Sequence, residues 1–267
     1  MAEIFGFDAY SPSEIAERVD RVGVAKARLP FLQTAMLGVL AGVFIGLGSI
    51  YYVLVASDAS LGFAAQRVLG GVCFSLGLIL VIVAGAELFT GNNLLAMAWA
   101  SGRITTLEVL RNWAIVCAAN LVGAAGLAGL IVVSGHTQLN AGAVARTYLE
   151  IAAAKAALPF WSAFFRGVLC NLLVCMAVWM ALAGRSVVDR VVAIVFPISA
   201  FVAAGFEHSI ANMYFFPVAL LLGAPLGAGA IVGNLVPVIL GNLVGGSVLV
   251  ALVYYVIYIR PARKTPA

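Results

Sequence analysis

Charge is what this sequence has least of. Of its 267 residues only 10% are Asp, Glu, Lys or Arg, against about 25% in an average soluble domain. A soluble globule of this size could not wet its surface with so few charges, and a disordered chain would carry more of them. Histidine is nearly absent, with two in the chain. No H-E-x-x-H occurs, which removes the usual basis for a membrane zinc hydrolase. The four cysteines, Cys73, Cys117, Cys170 and Cys175, lie in apolar runs without C-x-x-C spacing and read as small buried side chains. No metal site, no cofactor and no enzymatic activity are expected. Met1 to Arg28 lacks an apolar core, so no cleavable signal peptide is expected either.

What is present is apolar. Hydrophobic residues make up 64% of the chain, with a mean hydropathy of +1.11. The apolar runs are long and continuous, unlike the alternating strands of about ten residues that build a membrane β-barrel. The fold class is therefore an all-α polytopic membrane protein whose main partner is the lipid bilayer. The net charge of +4 is not a nucleic-acid signal, because the basic residues form no aromatic-basic platform.

Three regions follow: residues 1–28, an amphipathic interfacial segment; 29–260, six spans; and 261–267, a short tail. Ser11-Pro12-Ser13-Glu14 supplies a helix start, and the helix lies along the membrane surface, with Lys26 among the headgroups, or caps a neighbouring subunit. The spans run from about Leu29 to Ala56, Val68 to Ala100, Val109 to Ser134, Phe160 to Ala183, Val191 to Leu222 and Ile231 to Ile259. The second and fifth exceed the roughly 20 residues a crossing needs, and each is interrupted by a polar, Gly-containing patch. Eleven of the fifteen basic residues share the side of both termini, which predicts cytoplasmic termini. Gly38, Gly42 and Gly46, Gly123, Gly126 and Gly129, and Gly241 and Gly245 predict close helix contacts. Trp99, Trp113, Trp161 and Tyr254, Tyr255 and Tyr258 read as an aromatic belt.

The interruptions echo each other. Gly85-Ala86-Glu87-Leu88-Phe89-Thr90-Gly91-Asn92 and Gly205-Phe206-Glu207-His208-Ser209-Ile210-Ala211-Asn212 both read G-x-E-x-x-x-x-N, 120 positions apart. Asn120-Leu-Val-Gly and Asn242-Leu-Val-Gly repeat at 122. Each half holds an odd number of spans, so the halves are inverted in the membrane: a 3+3 repeat whose broken helices meet near the midplane. A carboxylate at that depth is expensive, so Glu87 and Glu207 serve either as buried braces or in a solute path. Half-helix N-termini after each break would turn positive ends to the midplane, with Gly91, Asn92, Asn212 and Asn242 belonging to the structural frame. His208 reads as a polar or proton-donating contact in the path, and Thr90 as its counterpart in the other break.

At these residues the sequence resembles the formate/nitrite transporter family. The stretches that carry the likeness are Ala86 to Gly91, Gly205 to Met213, Asn171 to Cys175 and Gly241-Asn242. The resemblance implies an aquaporin-like six-helix protomer in a homopentamer, one pore per protomer, in the bacterial inner membrane. It implies a central polar pair of Thr90 and His208, with Asn171 beside His208. It implies an outer constriction of Phe74 and Phe201, and an inner one of Leu78 with Leu88 or Phe89. Lys155 falls in the outer vestibule. The substrate class implied is a small monovalent anion: formate first, nitrite second, hydrosulfide or another small monocarboxylate as an alternative, with proton coupling open. The rival of a different class is a neutral-solute channel of aquaporin type, against which stands the absence of Asn-Pro-Ala at either break.

Overall fold

The computed structural model describes residues 9–262. The first eight residues and the tail beyond 262, with its basic Arg263 and Lys264, lie outside the described residues. Helix α1 (Pro12–Ala27) starts as its sequence dictates. The Ser11 hydroxyl accepts from the Glu14 N–H, the Glu14 carboxylate accepts from the Ser11 N–H, and Pro12 sits in the first turn. Its apolar face, Ile15, Ala16, Val19 and Ala27, is buried. What it packs on is its own protomer, and Arg103 pairs with Asp20 at 2.7 Å. The N-terminal segment thus packs on its own chain, through this apolar face and the Asp20–Arg103 pair.

Six helices are long and apolar enough to cross a membrane among the described residues. They are α2 (Phe31–Ala56), the run Phe63–Gly85, α6 (Thr106–Val133), α8 (Phe160–Ala183), α9 (Val187–Ala204) and the run Ala228–Ile259. The second run contains α3 (Phe63–Phe74), α4 (Leu76–Ile79) and a wide π-type turn over Leu80–Gly85. A tight turn over Gly91–Leu94 and α5 (Leu95–Ala100) complete that span after the break. The fifth resumes as α10 (Ser209–Leu221), and the sixth begins as α11 (Ala228–Leu243). The distal loop from Gly135 to Pro159 holds a further helix, α7 (Ala143–Ala156).

Lipid offers no hydrophobic drive between helices, so close packing of small residues holds them. A methyl on Gly42 would run into the Asn120 carbonyl, and one on Gly123 into that of Val39; Gly241 and Gly245 meet the Phe164 and Val168 carbonyls likewise. These contacts lie within the protomer and join α2 to α6 and α8 to the run Ala228–Ile259. Gly126 and Gly129 meet no other part of this chain. The aromatic belt also shrinks: Trp99 and Trp161 are exposed, whereas Trp113 donates inward to the Asn92 carbonyl at 2.9 Å.

The repeat is visible in the backbone. Both breaks turn on a left-handed glycine, Gly85 at φ +89° and Gly205 at φ +74°, a conformation a side chain would strain. Extended residues follow, then a new helical segment. α1 precedes the first span on the face that carries the termini, and α7 precedes the fourth on the opposite, distal face.

Candidate conduction path

Broken helices leave buried backbone groups that must be paired. One asparagine does this in each half. Asn120 Oδ1 accepts from the Phe89 N–H at 2.9 Å, while its Nδ2 donates to the carbonyls of Gly38 (2.7 Å) and Glu87 (2.9 Å). Asn242 Oδ1 accepts from the Ser209 N–H at 3.0 Å, and its Nδ2 donates to the carbonyls of Gly167 (2.9 Å) and Glu207 (3.0 Å). These named amides are therefore occupied, and do not face the path as bare positive ends. Asn92 and Asn212, expected to brace the backbone, brace the carboxylates.

Each carboxylate is held in a matching cluster. Lys26 Nζ donates to Glu87 Oε1 at 2.8 Å and to Asn92 Oδ1 at 3.0 Å; Asn92 Nδ2 donates to Glu87 Oε2 at 2.6 Å and to Asn112 Oδ1 at 2.9 Å; Asn112 Nδ2 closes the ring on the Lys26 carbonyl at 3.2 Å. In the other half Lys155 Nζ donates to both oxygens of Glu207 at 3.0 and 3.1 Å. Asn212 Nδ2 donates to Glu207 Oε2 and to Asn234 Oδ1, both at 2.7 Å, and Asn234 Nδ2 donates to the Lys155 carbonyl at 2.8 Å. A buried charge needs such pairing to persist. Lys26 is thus not a headgroup anchor, and Lys155 is not a free cation in a vestibule.

Two cavities approach the midplane from opposite faces. The distal one, about 220 Å³, is lined by residues including Phe74, Phe201, His208, Glu207, Lys155, Arg67 and Arg166. The one on the terminal face, about 450 Å³, is lined by residues including Leu78, Leu88, Glu87, Gly91, Asn92, Lys26, Arg190 and residues of α1. Between them lies a chamber of about 10 Å³ bounded by Ile45, Phe74, Leu78, Leu88, Val174, Ile198, Phe201 and His208. It has room for one water at most. Phe74 and Phe201 meet edge to face at 5.7 Å and close it toward the distal cavity; Leu78 and Leu88 close it toward the other.

His208 is the one titratable group lining the chamber. As the N-cap of α10, its Nδ1 accepts from the Ala211 N–H at 3.2 Å, and its Nε2 lies 3.0 Å from Thr90 Oγ1. An Nδ1 that accepts carries no proton, so the neutral ring holds its proton on Nε2 and donates to Thr90. Phe201 lies nearly parallel to the ring at 5.9 Å.

Of the residues singled out from sequence, the structure thus brings together Phe74, Phe201, Leu78, Leu88 and His208, with Thr90 reaching the chamber through His208. Phe89 is buried away from the cavities. Asn171 stands behind Thr90: its Nδ2 donates to the Thr90 and Asn242 carbonyls and to Asn93 Oδ1, with no bond to His208. At the 120-residue offset the residue matching His208 is Leu88, and Thr90 matches Ile210; the expected Thr90–His208 equivalence is replaced by a contact across the repeat axis. Lys26, Asn112, Asn234 and Asn120 were not foreseen as site residues. The signals for them are the recurrence of Lys at an offset of 129 and of Asn at 122.

An inverted repeat with two cation-lined cavities meeting at a closed apolar chamber defines a membrane channel or transporter. The chain belongs to the formate/nitrite transporter family, whose sequence profile matches residues 13–256. The formate channel FocA of Escherichia coli (strain K12) is 39% identical over 274 residues, covering 95% of this chain and 96% of that one. A solved pentameric formate channel with formate bound superposes with a TM-score of 0.79 at 35% identity, covering 86% of this chain and 98% of that one. The aquaglyceroporin from Plasmodium falciparum matches at a TM-score of 0.56 and 13% identity, over 88% of this chain and 100% of that one, and shows the aquaporin-like fold alone.

Proposed function

We propose that this protein conducts formate, with nitrite second, as one pore per protomer of a homopentamer in the bacterial inner membrane, its termini cytoplasmic. The observation that carries the reading is electrostatic. Three cations face one carboxylate around the distal cavity, and two face one around the other, so both mouths favour small anions. The chamber between them holds no net charge and excludes all but about one water, where a bare anion is strongly disfavoured. The anion gathers in a vestibule, takes a proton from vestibule water whose hydroxide returns to bulk, and crosses as the neutral acid. The Nε2–H of His208 and the Thr90 hydroxyl offer that acid polar contacts midway. His208 acts as a donor that keeps its own proton, because its Nδ1 is committed to Ala211. The relatives named for formate, and the pentameric solved channel, support both substrate and assembly.

The test is uptake of labelled formate into proteoliposomes. We expect saturable uptake that nitrite competes for and glycerol does not, and a detergent-corrected mass of five chains. Glycerol conduction without formate uptake would favour the neutral-solute reading and overturn this one.

A further inference from the structure

We propose that Arg166 captures planar two-oxygen monoanions in the distal vestibule and makes the two mouths of the path unequal; this rests on the anion-conducting reading above. The inverted repeat supplies an internal control. The Glu207 N–H donates to the Arg166 carbonyl at 3.3 Å, and the Glu87 N–H donates to the Leu37 carbonyl at 3.2 Å. Arg166 and Leu37 are therefore the same position in the two halves, 129 residues apart, as are Gly38 and Gly167, and Lys26 and Lys155. Each lines the cavity of its own face. The Lys, Glu and two Asn of each cluster are identical between the halves, but here one half carries a guanidinium and the other an isobutyl group.

The other cations of the distal cavity are committed. Lys155 is spent on both oxygens of Glu207. Arg67 donates through Nε to the Ala203 carbonyl at 3.0 Å and through Nη2 to that of Val202 at 2.9 Å, closing the end of α9. Arg166 makes neither an ion pair nor a side-chain hydrogen bond to any described residue. It is exposed and lines the distal cavity, on α8 between the buried Ala163 and Cys170 and about two turns before Val174, which bounds the central chamber. A guanidinium presents parallel N–H pairs that match the two oxygens of a carboxylate or nitrite, whereas an ammonium offers a point charge. The terminal cavity has a guanidinium of its own, Arg190, but it comes from α9, and the residue 120 positions before it is Gly70.

The experiment uses the full chain in right-side-out and inverted membrane vesicles from cells without formate transporters of their own, so that each face is addressed separately. At low ionic strength Arg166→Leu should raise the half-saturating formate concentration at the distal face by up to about fivefold, the upper end of what an exposed ion pair supplies. The value at the terminal face should stay near wild type, which also reports a folded pore. Arg166→Lys should recover only part of the loss, and Leu37→Arg should lower half-saturation at the terminal face. Unchanged half-saturation in Arg166→Leu, or an equal rise at both faces, overturns the inference. Full recovery in Arg166→Lys overturns the two-oxygen geometry. Wild-type vesicles with no saturable formate uptake from either face would instead defeat the anion-conducting reading on which it rests.

Discussion

The two breaks use the same parts to hold the backbone and different parts to line the cavities. Gly85 and Gly205, Asn120 and Asn242, and the two Lys-Glu-Asn-Asn clusters superimpose bond for bond, with two exceptions. Lys26 bridges Glu87 and Asn92, whereas Lys155 grips both oxygens of Glu207 and leaves Asn212 Oδ1 without a protein partner. Lys155 is also the more enclosed, its side chain 14% exposed against 28% for Lys26. Along the proposed path the halves diverge: Leu88 against His208, and Leu37 against Arg166. The frame is symmetric because both halves solve one problem, a broken helix in lipid. The lining is asymmetric because a single chamber needs one polar contact, not two.

The largest effect is expected from the frame. Asn242→Leu strands the Ser209 N–H and the Glu207 carbonyl, and Asn120→Leu does the same to the Phe89 N–H and the Glu87 carbonyl. Each orphaned buried group costs about 1–3 kcal/mol, so both variants should lose most of their folded yield, to a similar degree, in thermal unfolding in detergent. Strong loss in one and none in the other would break the symmetry of the frame. Next come the lysines. Lys155→Met and Lys26→Met each leave a buried carboxylate without its cation. The cost lies below the roughly 3–5 kcal/mol of a fully enclosed pair, and it should be greater for Lys155 because that site is drier. Equal melting temperatures would contradict the ranking.

His208→Leu erases the difference at the chamber itself. It removes the acceptor for Ala211 and the partner of Thr90, and formate uptake should fall roughly tenfold, the worth of one well-placed hydrogen bond. His208→Asn keeps an acceptor able to cap α10, so it should melt like wild type while conducting poorly. Normal uptake in both would make His208 a structural cap only. The smallest effect belongs to α1. The backbone N–H and then the hydroxyl of Ser11 hold the Glu14 carboxyl below its ordinary value. A lowered folded value stabilises the cap above the ordinary range and is lost as pH falls through it. Amide exchange in the first turn of α1 should therefore quicken in acid, and Glu14→Gln should flatten that response.

Much of this was legible in the sequence because intramembrane polarity is rare enough to stand out. G-x-E-x-x-x-x-N located both breaks, and hydropathy located six spans, with ends within about five residues of those observed. What stayed hidden was partnership. Lys26 looked like one of several basic residues on an amphipathic helix, and nothing local says that it turns inward to Glu87. Asn112 and Asn234 sit at helix positions where Asn has many uses, and only their offset, once the repeat is known, links them. The family resemblance implies the Thr90–His208 pair, and the two do meet, but across the pseudo-twofold: the reading of them as matching positions fails, since Leu88 matches His208. Arg166 is, from sequence alone, a charge within the fourth span, and its contrast with Leu37 emerges only once the repeat is aligned.

The measurement closest to the centre of the account is the charge that accompanies one formate. In proteoliposomes carrying a clamped potassium diffusion potential and a pH-sensitive dye in the lumen, a neutral acid crossing an uncharged chamber delivers one proton with each formate. Uptake should then follow the pH gradient and be indifferent to the imposed voltage. Uptake that follows voltage with no lumenal acidification would mean that the bare anion crosses the Phe74, Phe201, Leu78 and Leu88 constrictions, and would contradict the account.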